Sequence, residues 1–182
     1  MELAIEDLSD LSLLTTKPCL YIANVSEDQL PDGGDLARKV REKASEEGAE
    51  TIVLCALLES ELCSWEPEEA FAYLAELGLT APSLQRFVHV GYQLLDYITF
   101  FTVTGGKELH AWTLRRGETV LSAAATIHSD MARGFIRAEV VSYDDLIASG
   151  SMAQARETGR VRLEGREHIV CDGDIIHIRF AV

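Results

Sequence analysis

The sequence has few cysteines, no long apolar run and, in its first half, little positive charge, and each shortage excludes a class of protein. Its four cysteines form no Cys-x-x-Cys pair and have no His-x-x-x-His partner, which argues against a zinc site or a redox motif and predicts buried thiols in a reducing compartment. The sequence has no run of eighteen apolar residues, and its acidic N-terminus is unlike a cationic signal peptide. We therefore expect a cytoplasmic protein without a membrane partner, and a hydrophobic content of 47% is enough to form a core.

Acidic residues are concentrated in the first half of the chain. Residues 1–96 hold 19 acidic and 6 basic side chains, whereas residues 97–182 hold 11 and 10, so most of the net charge of −14 lies in the first half. Nine of the ten basic residues of the second half are arginines, whose planar guanidinium groups donate paired hydrogen bonds to phosphate. Composition alone leaves two interpretations open, an RNA-binding surface and a solvated surface with mixed ion pairs.

The first half predicts a strand, a helix and a second strand. Cys19–Ala23 and Thr51–Leu54 are short apolar runs typical of buried parallel strands. Asp35 is the predicted N-cap of a helix that extends to Glu47 and ends at Gly48. The apolar face of that helix is expected to include Leu36, Val40 and Ala44. This order is a βαβ unit of a doubly wound α/β sheet, whose open edge needs a further strand.

The segments on either side of this unit give helical patterns. Residues 1–16 are acidic and leucine-rich and indicate a frayed helix. Residues 66–96 predict two connecting helices, the first from Pro67 to Gly78 and the second from near Ser83. The apolar stripe of the second helix consists of Leu84, Phe87, Val88, Leu94 and Leu95.

From Tyr97 the pattern changes to β structure. Ile98–Val103 and Leu109–Thr113 flank Gly105-Gly106 and predict a hairpin, in which the glycines serve the turn and do not bind phosphate. Thr119 is the predicted N-cap of a helix that extends to His128. The inward face of this helix is expected to consist of Val120, Ala123, Ala124 and Ile127.

The last part of the chain predicts two strands and a short helix capped by Ser142. Strand 135–141 is expected to alternate, with Phe135, Arg137, Glu139 and Val141 on one face and Ile136, Ala138 and Val140 on the other. Asp172-Gly173-Asp174 has too few oxygens for calcium and predicts a hairpin turn before the strand Ile175–Phe180. Hairpin, helix, strand and returning strand are the order of an α+β, β-grasp (ubiquitin-like) fold. His128-Ser129-Asp130 are expected to be local helix caps, because adjacent residues point apart and hydrolytic triads assemble from distant positions.

Motifs in both halves resemble one family, the YchF or Obg-like ATPases. Asn24-Val25-Ser26-Glu27 is similar to the base-reading fourth motif of P-loop NTPases, and Cys55-Ala56 stands where those proteins carry their fifth motif. Glu27 stands where guanine-specific NTPases carry an aspartate. A glutamate at this place resembles the YchF or Obg-like family, whose members favour ATP over GTP. In the second half, Gly134-Phe135-Ile136-Arg137-Ala138-Glu139 and Asp172-Gly173-Asp174-Ile175 look like the TGS domain that ends these proteins. His110 departs from the pattern, because an arginine is expected there.

The resemblance implies three segments. Residues 1–65 would be a truncated α/β segment of a doubly wound P-loop NTPase sheet, residues 66–96 connecting helices, and residues 97–182 a β-grasp TGS domain. The implied contacts to a nucleotide base are Asn24, Val25, Glu27, Cys55 and Ala56. An amide can bond a purine edge and a carboxylate can accept from an exocyclic amine, whereas neither can hold a triphosphate.

The resemblance also implies cofactors, because full-length members bind ATP or GTP with Mg²⁺. The 182 residues contain no Gly-x-x-x-x-Gly-Lys-[Ser/Thr] motif. Phosphoryl transfer needs backbone amides, a lysine and a metal around the phosphates. We therefore expect no catalytic or metal-binding residues, no tight nucleotide binding and no ATP hydrolysis by this chain alone.

The implied partners are the ribosome or ribosomal RNA and a missing N-terminal NTPase half, with no role for DNA. The candidate RNA or ribosome contacts are Arg115, Arg116, Arg133, Arg137, Arg162 and Arg166. Mixed charge predicts modest and salt-sensitive affinity. Two other hypotheses stay open, a regulatory β-grasp module that docks on a protein and a fragment of a longer ATPase. The open sheet edge also predicts self-association.

Overall fold

The computed structural model describes residues 13–104 and 108–181, and these divide into two compact units with a boundary between Leu95 and Asp96. Within the predicted frayed helix at residues 1–16, Leu14–Thr16 form one 3-10 turn and residues 1–12 lie outside the described residues. The predicted Gly105-Gly106 turn also lies outside them. In the described ranges, no helix has both the length and the apolar character needed to cross a bilayer.

The first unit begins with the predicted strand, helix and strand. β1 (Leu20–Asn24), α1 (Gly34–Glu46) and β2 (Glu50–Leu54) follow one another. The two strands pair in parallel with no shift in register, from Leu20 opposite Glu50 to Asn24 opposite Leu54. The βαβ prediction is confirmed for these residues.

The start of α1 corrects two details of the prediction. The N-cap is Gly33 and not Asp35, and its φ of 79° lies in the left-handed region that favours glycine. A Cβ at Gly33 would also lie 2.5 Å from Ala37 Cβ. Ala37 packs against the strands, with Ala23 and Val53 as neighbours. Leu36 is 74% exposed, so its predicted place on the apolar face is wrong.

Within residues 13–95, a 3-10 turn (Glu27–Gln29) lies between β1 and α1, and three further α-helices follow β2: α2 (Ala56–Leu62), α3 (Pro67–Glu76) and α4 (Ser83–Leu94). The predictions of α3 and α4 are confirmed, whereas α2 was not predicted. The core beside α2 and α3 consists of Cys55, Leu58, Leu62, Leu74 and Leu79. The apolar stripe of α4 stays largely open, since Leu84, Phe87 and Val88 are all exposed. The prediction of buried thiols is right for Cys55 and wrong for the exposed Cys19, Cys63 and Cys171.

The second unit begins with a hairpin and two helices. β3 (Tyr97–Thr104) and β4 (Glu108–Arg115) pair in antiparallel fashion, which confirms the two predicted strands. In α5 (Val120–Ile127), the side chain of Thr119 accepts the cap hydrogen bond from the N–H of Ser122. In α6 (Ser129–Arg133), the ring of His128 accepts from the N–H of Asp130 at 3.1 Å, so the predicted local cap is confirmed there.

The rest of the unit is β5 (Phe135–Ser142), α7 (Tyr143–Ser149), α8 (Met152–Glu157), β6 (Arg162–Glu164) and β7 (Asp174–Phe180). The five strands form a mixed sheet in the order β4-β3-β7-β5-β6. β7 is the central strand, parallel to β3 and antiparallel to β5. α5 packs its buried residues against one face of the sheet, and side chains of α7 and α8 pack against part of the other face.

Two predictions for the strands of this unit are wrong. An irregularity between Phe135 and Arg137 shifts the register of β5, and Phe135 shares the α5 core with Ala138 and Val140. The segment before β7 is also not the other arm of a hairpin. Ile169 forms an isolated bridge to Thr119, while β7 pairs with β3 and β5.

Candidate functional site

The carboxyl ends of β1 and β2 meet at one edge of the first unit, as parallel pairing requires. Val25 continues the pairing beyond Asn24 by donating its N–H to Leu54 O at 2.9 Å. Asn24 Oδ1 accepts a hydrogen bond from Ala56 N at 3.0 Å. Ala56 is the first residue of α2, and Cys55 before it supplies no side-chain cap. Asn24 therefore satisfies one of the N–H groups that the start of a helix leaves unpaired.

Glu27 is bonded to a residue of α3. Its carboxylate accepts a hydrogen bond from the Tyr73 hydroxyl, and this bond, more than burial or charge, raises the pKa of Tyr73. The Tyr73 ring packs at a tilt against Trp65, with 5.3 Å between the ring centroids. The structure thus brings Asn24, Val25 and Ala56 together and engages Glu27 with a residue that the sequence analysis missed. Tyr73 lies 46 residues further along the chain, and no spacing pattern marks it.

An apolar cavity of about 330 Å³ lies next to Ala56 in the first unit. Its lining comes from β1, β2, α2 and α4, and consists of Ile22, Leu54, Ala56, Glu59, Ser60, Cys63, Leu84 and Phe87. The carboxylate of Glu59 accepts a hydrogen bond from Ser83 N at 2.6 Å, so it is held against the start of α4. A lining of apolar groups with one carboxylate suits an apolar or flat group and repels a phosphate.

The fit of this unit to a nucleotide is therefore partial. The strand end offers polar groups of the kind that bind a base edge, namely the amide of Asn24 and the carboxylate of Glu27. In the described ranges, no group of three or more His, Cys, Asp or Glu side chains is placed to hold a metal ion. The described residues therefore offer polar groups of the kind that can contact a base edge, and both groups are bonded within the chain, Asn24 to Ala56 and Glu27 to Tyr73.

The six arginines predicted as RNA contacts are all exposed but do not form one surface. Arg116 pairs with Asp96 at 3.1 Å, Arg133 pairs with Asp130, and Arg162 approaches Glu164 at 3.7 Å. Arg115, Arg137 and Arg166 have no ion pair within the described residues. β4 and β6 are opposite edges of the sheet, which separates Arg115 from Arg162. Arg162 is opposite Val140, which packs in the α5 core, so Arg162 and Arg137 lie on different faces.

A different arginine cluster surrounds Glu139 of β5. Glu139 is only 5% exposed, and its two carboxylate oxygens accept hydrogen bonds from Arg156 of α8, at 2.8 Å, and Arg179 of β7. The bond from Arg156 lowers the pKa of Glu139, burial opposes this effect, and Arg179 lowers the pKa further. Arg137, two residues before Glu139, is the cross-strand neighbour of Arg179.

Part of this cluster can be predicted from the alternation of residues in β7. In β7, His177 and Arg179 alternate with the buried Ile176 and Ile178, a pattern that places both polar residues on one face. The pairing of Arg179 with Arg137 depends on the register between β5 and β7. That register follows the irregularity in β5, which the alternation pattern does not contain.

Comparison with known proteins gives consistent matches, and those to whole proteins extend over nearly all of the chain. The family model YchF-GTPase_C, described as "Protein of unknown function (DUF933)", matches residues 97–181. The chain is 50% identical over 177 residues to "Ribosome-binding ATPase YchF" of Bacillus subtilis (strain 168). It is 45% identical over 178 residues to the protein of the same name of Pasteurella multocida (strain Pm70).

The matches cover nearly all of this chain and part of each relative. The two alignments span 96% and 98% of this chain and 48% of each relative, so the chain spans about half the length of the curated relatives it matches. The solved structure of the Schizosaccharomyces pombe YchF GTPase is similar with a TM-score of 0.86 and 30% identity, over 96% of this chain and 46% of that chain.

Proposed function

The chain corresponds to the C-terminal region of YchF proteins, and on this premise we propose that it carries RNA or ribosome association in the cytoplasm without hydrolysing ATP itself. The observation that carries the proposal is the 50% identity, over 96% of the chain, to a relative named a ribosome-binding ATPase. The arginines of the second unit supply groups suited to RNA phosphates.

The proposed organisation has an NTPase-type segment at residues 1–65, connecting helices at 66–96 and a TGS domain of the β-grasp type at 97–182. Two features support the last assignment. The sheet order β4-β3-β7-β5-β6 combines an N-terminal hairpin with a central last strand parallel to its first arm. α5 follows the hairpin and packs across one face of the sheet. This is the arrangement expected of a β-grasp.

The proposed nucleotide role of the first unit is to complete a base site for ATP or GTP in a longer protein. At the strand end Asn24 Oδ1 accepts from Ala56 N and Val25 N donates to Leu54 O, and Cys55 beside Ala56 is buried. When bound, Mg²⁺ and the triphosphate would supply the electrophile for hydrolysis. Within this chain, Asn24 would position the start of α2, and the amide and carboxylate would contact the base.

A further NTPase-type segment, on another part of a longer protein or on a partner, is the proposed cover for the first unit. β1 pairs with β2 on one side, and no strand of the described residues pairs with its other edge. On the cavity side of the strands, Ile22, Leu84 and Phe87 are exposed. An open strand edge beside apolar side chains is the surface expected where a sheet continues, and in isolation it favours self-association.

The alternative of a protein-docking β-grasp sheet has less support. On the sheet face opposite α5, Leu109 and Leu163 are more than half exposed. They belong to β4 and β6, the two edge strands, with three strands between them. Four inter-strand spacings of about 4.8 Å separate them by about 19 Å, which is too far for one contiguous apolar patch.

Co-sedimentation with ribosomes and with separated subunits tests the proposal. The purified chain is added at low and near-physiological salt, with and without ATP. We expect retention that weakens with salt and does not depend on ATP, because the contacts are arginine to phosphate. Retention only with ATP would assign binding to nucleotide-dependent states, and no retention at either salt would reject the proposal for this chain.

A further inference from the structure

β4 is an edge strand of the five-stranded sheet, and no strand of the described residues pairs with its outer side. It pairs with β3 without a bulge, from Arg115 opposite Tyr97 to Glu108 opposite Thr104. Proteins usually protect such an edge with a proline, a lysine, a bulge or a short strand. Residues 109–114 contain no proline and no lysine, whereas the other edge strand, β6, has only three residues. β4 is therefore a long, regular and unprotected edge.

The hydrogen bonds at the base of the β3–β4 hairpin show which backbone groups of β4 point outward. Arg116 N donates to Asp96 O at 2.8 Å, and these residues are directly opposite when the register of the hairpin is extended by one pair. Opposite residues of an antiparallel pair of strands alternate between bonded and non-bonded pairs. The even-numbered residues of β4 therefore bond to β3, and the N–H and C=O groups of Leu109 and Ala111 point away from it.

Thr99 gives an independent check of this alternation. It is opposite Thr113, so it belongs to the pairs that are not bonded across the hairpin. Its N–H donates to Asp172 Oδ1 at 2.8 Å, and its C=O accepts from Gly173 N at 2.8 Å, both immediately before β7. The odd-numbered residues of β3 thus point away from β4, as the alternation requires.

A groove of about 520 Å³ lies between the second half of β4 and α5. Its wall on the α5 side consists of Ser122, Ala125 and Thr126, which lie on one face of the helix because they are three and four residues apart. Leu114 and Glu118 also line it. A strand added beside β4 would lie about 4.8 Å from it and would point every second side chain to the α5 side. The small side chains of the wall leave room for such a side chain.

We propose that the outer edge of β4 binds an extended peptide segment of another protein as a sixth, antiparallel strand. The backbone groups of Leu109 and Ala111 supply hydrogen bonds to this strand, and the groove beside α5 receives one of its side chains. The contact needs no apolar patch on the face of the sheet. The inference goes beyond the proposed function, because it requires neither RNA nor a nucleotide.

The side chains along the edge determine the chemistry of the partner. Arg115, at one end, is exposed and has no ion pair within the described residues, so it favours an acidic residue directly opposite. Towards the other end, Leu109 is 66% exposed and Ala111 is exposed, which favours β-branched apolar residues opposite them. The groove combines apolar groups with the hydroxyls of Ser122 and Thr126, which suits a tyrosine.

A second copy of β4 does not have this chemistry. In an antiparallel pair of two copies, the bonded residues are odd-numbered in both. The two registers of greatest overlap place position 107 or position 109 opposite Arg115, and these are a lysine and a leucine in the sequence. Neither neutralises the arginine, so the charge pattern favours a different chain with a carboxylate at this place.

The test is fluorescence anisotropy of a labelled, capped peptide, Glu-Tyr-Thr-Val-Val-Thr-Val, with the full chain. Its first residue is designed to be opposite Arg115 and its last opposite Leu109, and saturable binding is expected below about 1 mM. N-methylation of the fifth residue, opposite Ala111, removes an N–H that points to β4 and is expected to weaken binding at least about tenfold. N-methylation of the fourth residue removes an N–H that points to solvent, so binding is expected to stay within about twofold.

Variants of the chain test the same contacts from the other side. Ala111→Pro removes an outward N–H without removing a bond to β3, so it is expected to weaken binding about fivefold while circular dichroism stays unchanged. Ala111→Val keeps the N–H and is the matched control, which is expected to bind like wild type. Arg115→Glu is expected to weaken binding of this peptide, and a peptide with lysine in place of its glutamate is expected to recover it.

The two N-methylated peptides are compared on the wild-type chain, so their result does not depend on how well a variant folds. Equal binding of these two peptides would overturn the proposal, as would the absence of saturable binding up to about 1 mM. Sedimentation equilibrium of the chain alone tests the remaining occupant. A dimer that Ala111→Pro dissociates would assign the edge to a second copy and would also overturn the proposal.

Discussion

Glu139 shows how one buried carboxylate organises its neighbours. Burial alone would favour its protonated form, yet hydrogen bonds from Arg156 and Arg179 lower its pKa. The arginines remain half exposed, so solvent screens part of the attraction. The charge on Glu139 therefore stabilises the fold by less than a fully buried ion pair would, and it also keeps two cations close together.

We predict that Glu139→Gln lowers the free energy of unfolding by about 1–3 kcal/mol at neutral pH, because a charge-assisted acceptor is lost. The direction in which this stabilisation changes with pH follows from the lowered pKa of Glu139 in the folded protein. The stabilisation by the charged Glu139 carboxylate is fully present above a pH of about 4.3, the pKa of a glutamate in the unfolded chain. It is lost as the pH falls through the lower pKa of Glu139 in the folded protein. Urea unfolding of wild type and variant from pH 7 downward should show the difference shrinking in acid.

Glu157→Gln is the matched control, since Glu157 is a neighbouring, exposed glutamate without an ion pair in the described ranges. It should change stability by no more than about 0.5 kcal/mol. The raised pKa of the buried Asp174 affects wild type and variants alike and so cancels in the comparison. A constant Glu139→Gln effect at every pH would contradict the assignment.

Asn24 offers a second test at this scale, because its hydrogen bond to Ala56 N links β1 to α2. Asn24→Ala should lower stability by about 0.5–1.5 kcal/mol and speed hydrogen exchange of the Ala56 amide. Asn24→Asp keeps an oxygen acceptor and should preserve protection. Unchanged exchange in Asn24→Ala would show that the bond does not hold the start of α2.

At the scale of elements, the junction between α6 and β5 requires a residue without a side chain, which is Gly134. A Cβ at Gly134 would lie 1.9 Å from the carbonyl oxygen of Ala181, at the end of the neighbouring strand β7. The two backbones are also joined directly, since Ala181 N donates to Gly134 O at 2.9 Å. Glycine is required here by close approach and not by its φ, which is an ordinary −90°.

Gly134→Ala should therefore destabilise the protein by about 1–3 kcal/mol or more, because a backbone must move. Gly165→Ala is the control, since a Cβ there meets no atom within 4 Å and its φ is not left-handed. It should be neutral within about 0.5 kcal/mol. The urea midpoints of the two variants measure the contrast, and equal midpoints would show that β7 shifts to make room at no cost.

The helices and strands also show which elements can be predicted from the periodicity of the sequence. The parallel strands, the hairpin strands and α5 were predicted because their apolar periods are clear over several residues. α2, α8 and β6 span seven, six and three residues, too few for a period to be read. Phe135 was placed on the wrong face because one irregularity shifts an alternation of period two.

The candidate sites show the same limit. Asn24, Glu27 and Arg137 were marked by motif and strand pattern. Tyr73 and Arg156 were not, because each meets its partner only through the packing of a separate helix. Local patterns therefore indicate which residues carry chemistry, whereas their partners depend on tertiary register.

At the scale of the whole molecule, the two units differ in charge and have separate cores. The core clusters of the second unit contain only residues of that unit, and those of the first unit only its own. The acidic excess lies in the first unit, whereas residues 97–182 carry nearly balanced charge. Both features favour a second unit that folds without the first.

We predict that residues 96–182, made alone, fold cooperatively, since 87 residues with their own core are enough for a small domain. Trp112 is the reporter, because its indole N–H donates to Thr102 Oγ1 within the hairpin. The fluorescence midpoint of the fragment in urea should match that of full-length Trp65→Phe, which keeps Trp112 as its one tryptophan. A fragment with no cooperative transition would contradict independent folding.

The central position of β7 also determines when the sheet of the second unit can form during translation. β3, β4, β5 and β6 leave the ribosome before β7, although β3 and β5 each need β7 as a neighbour. A nascent chain therefore carries two strand edges with no partner between them until Asp174–Phe180 emerges. The pairings of β3 and β5 with β7 can therefore form only after Asp174–Phe180 has been translated.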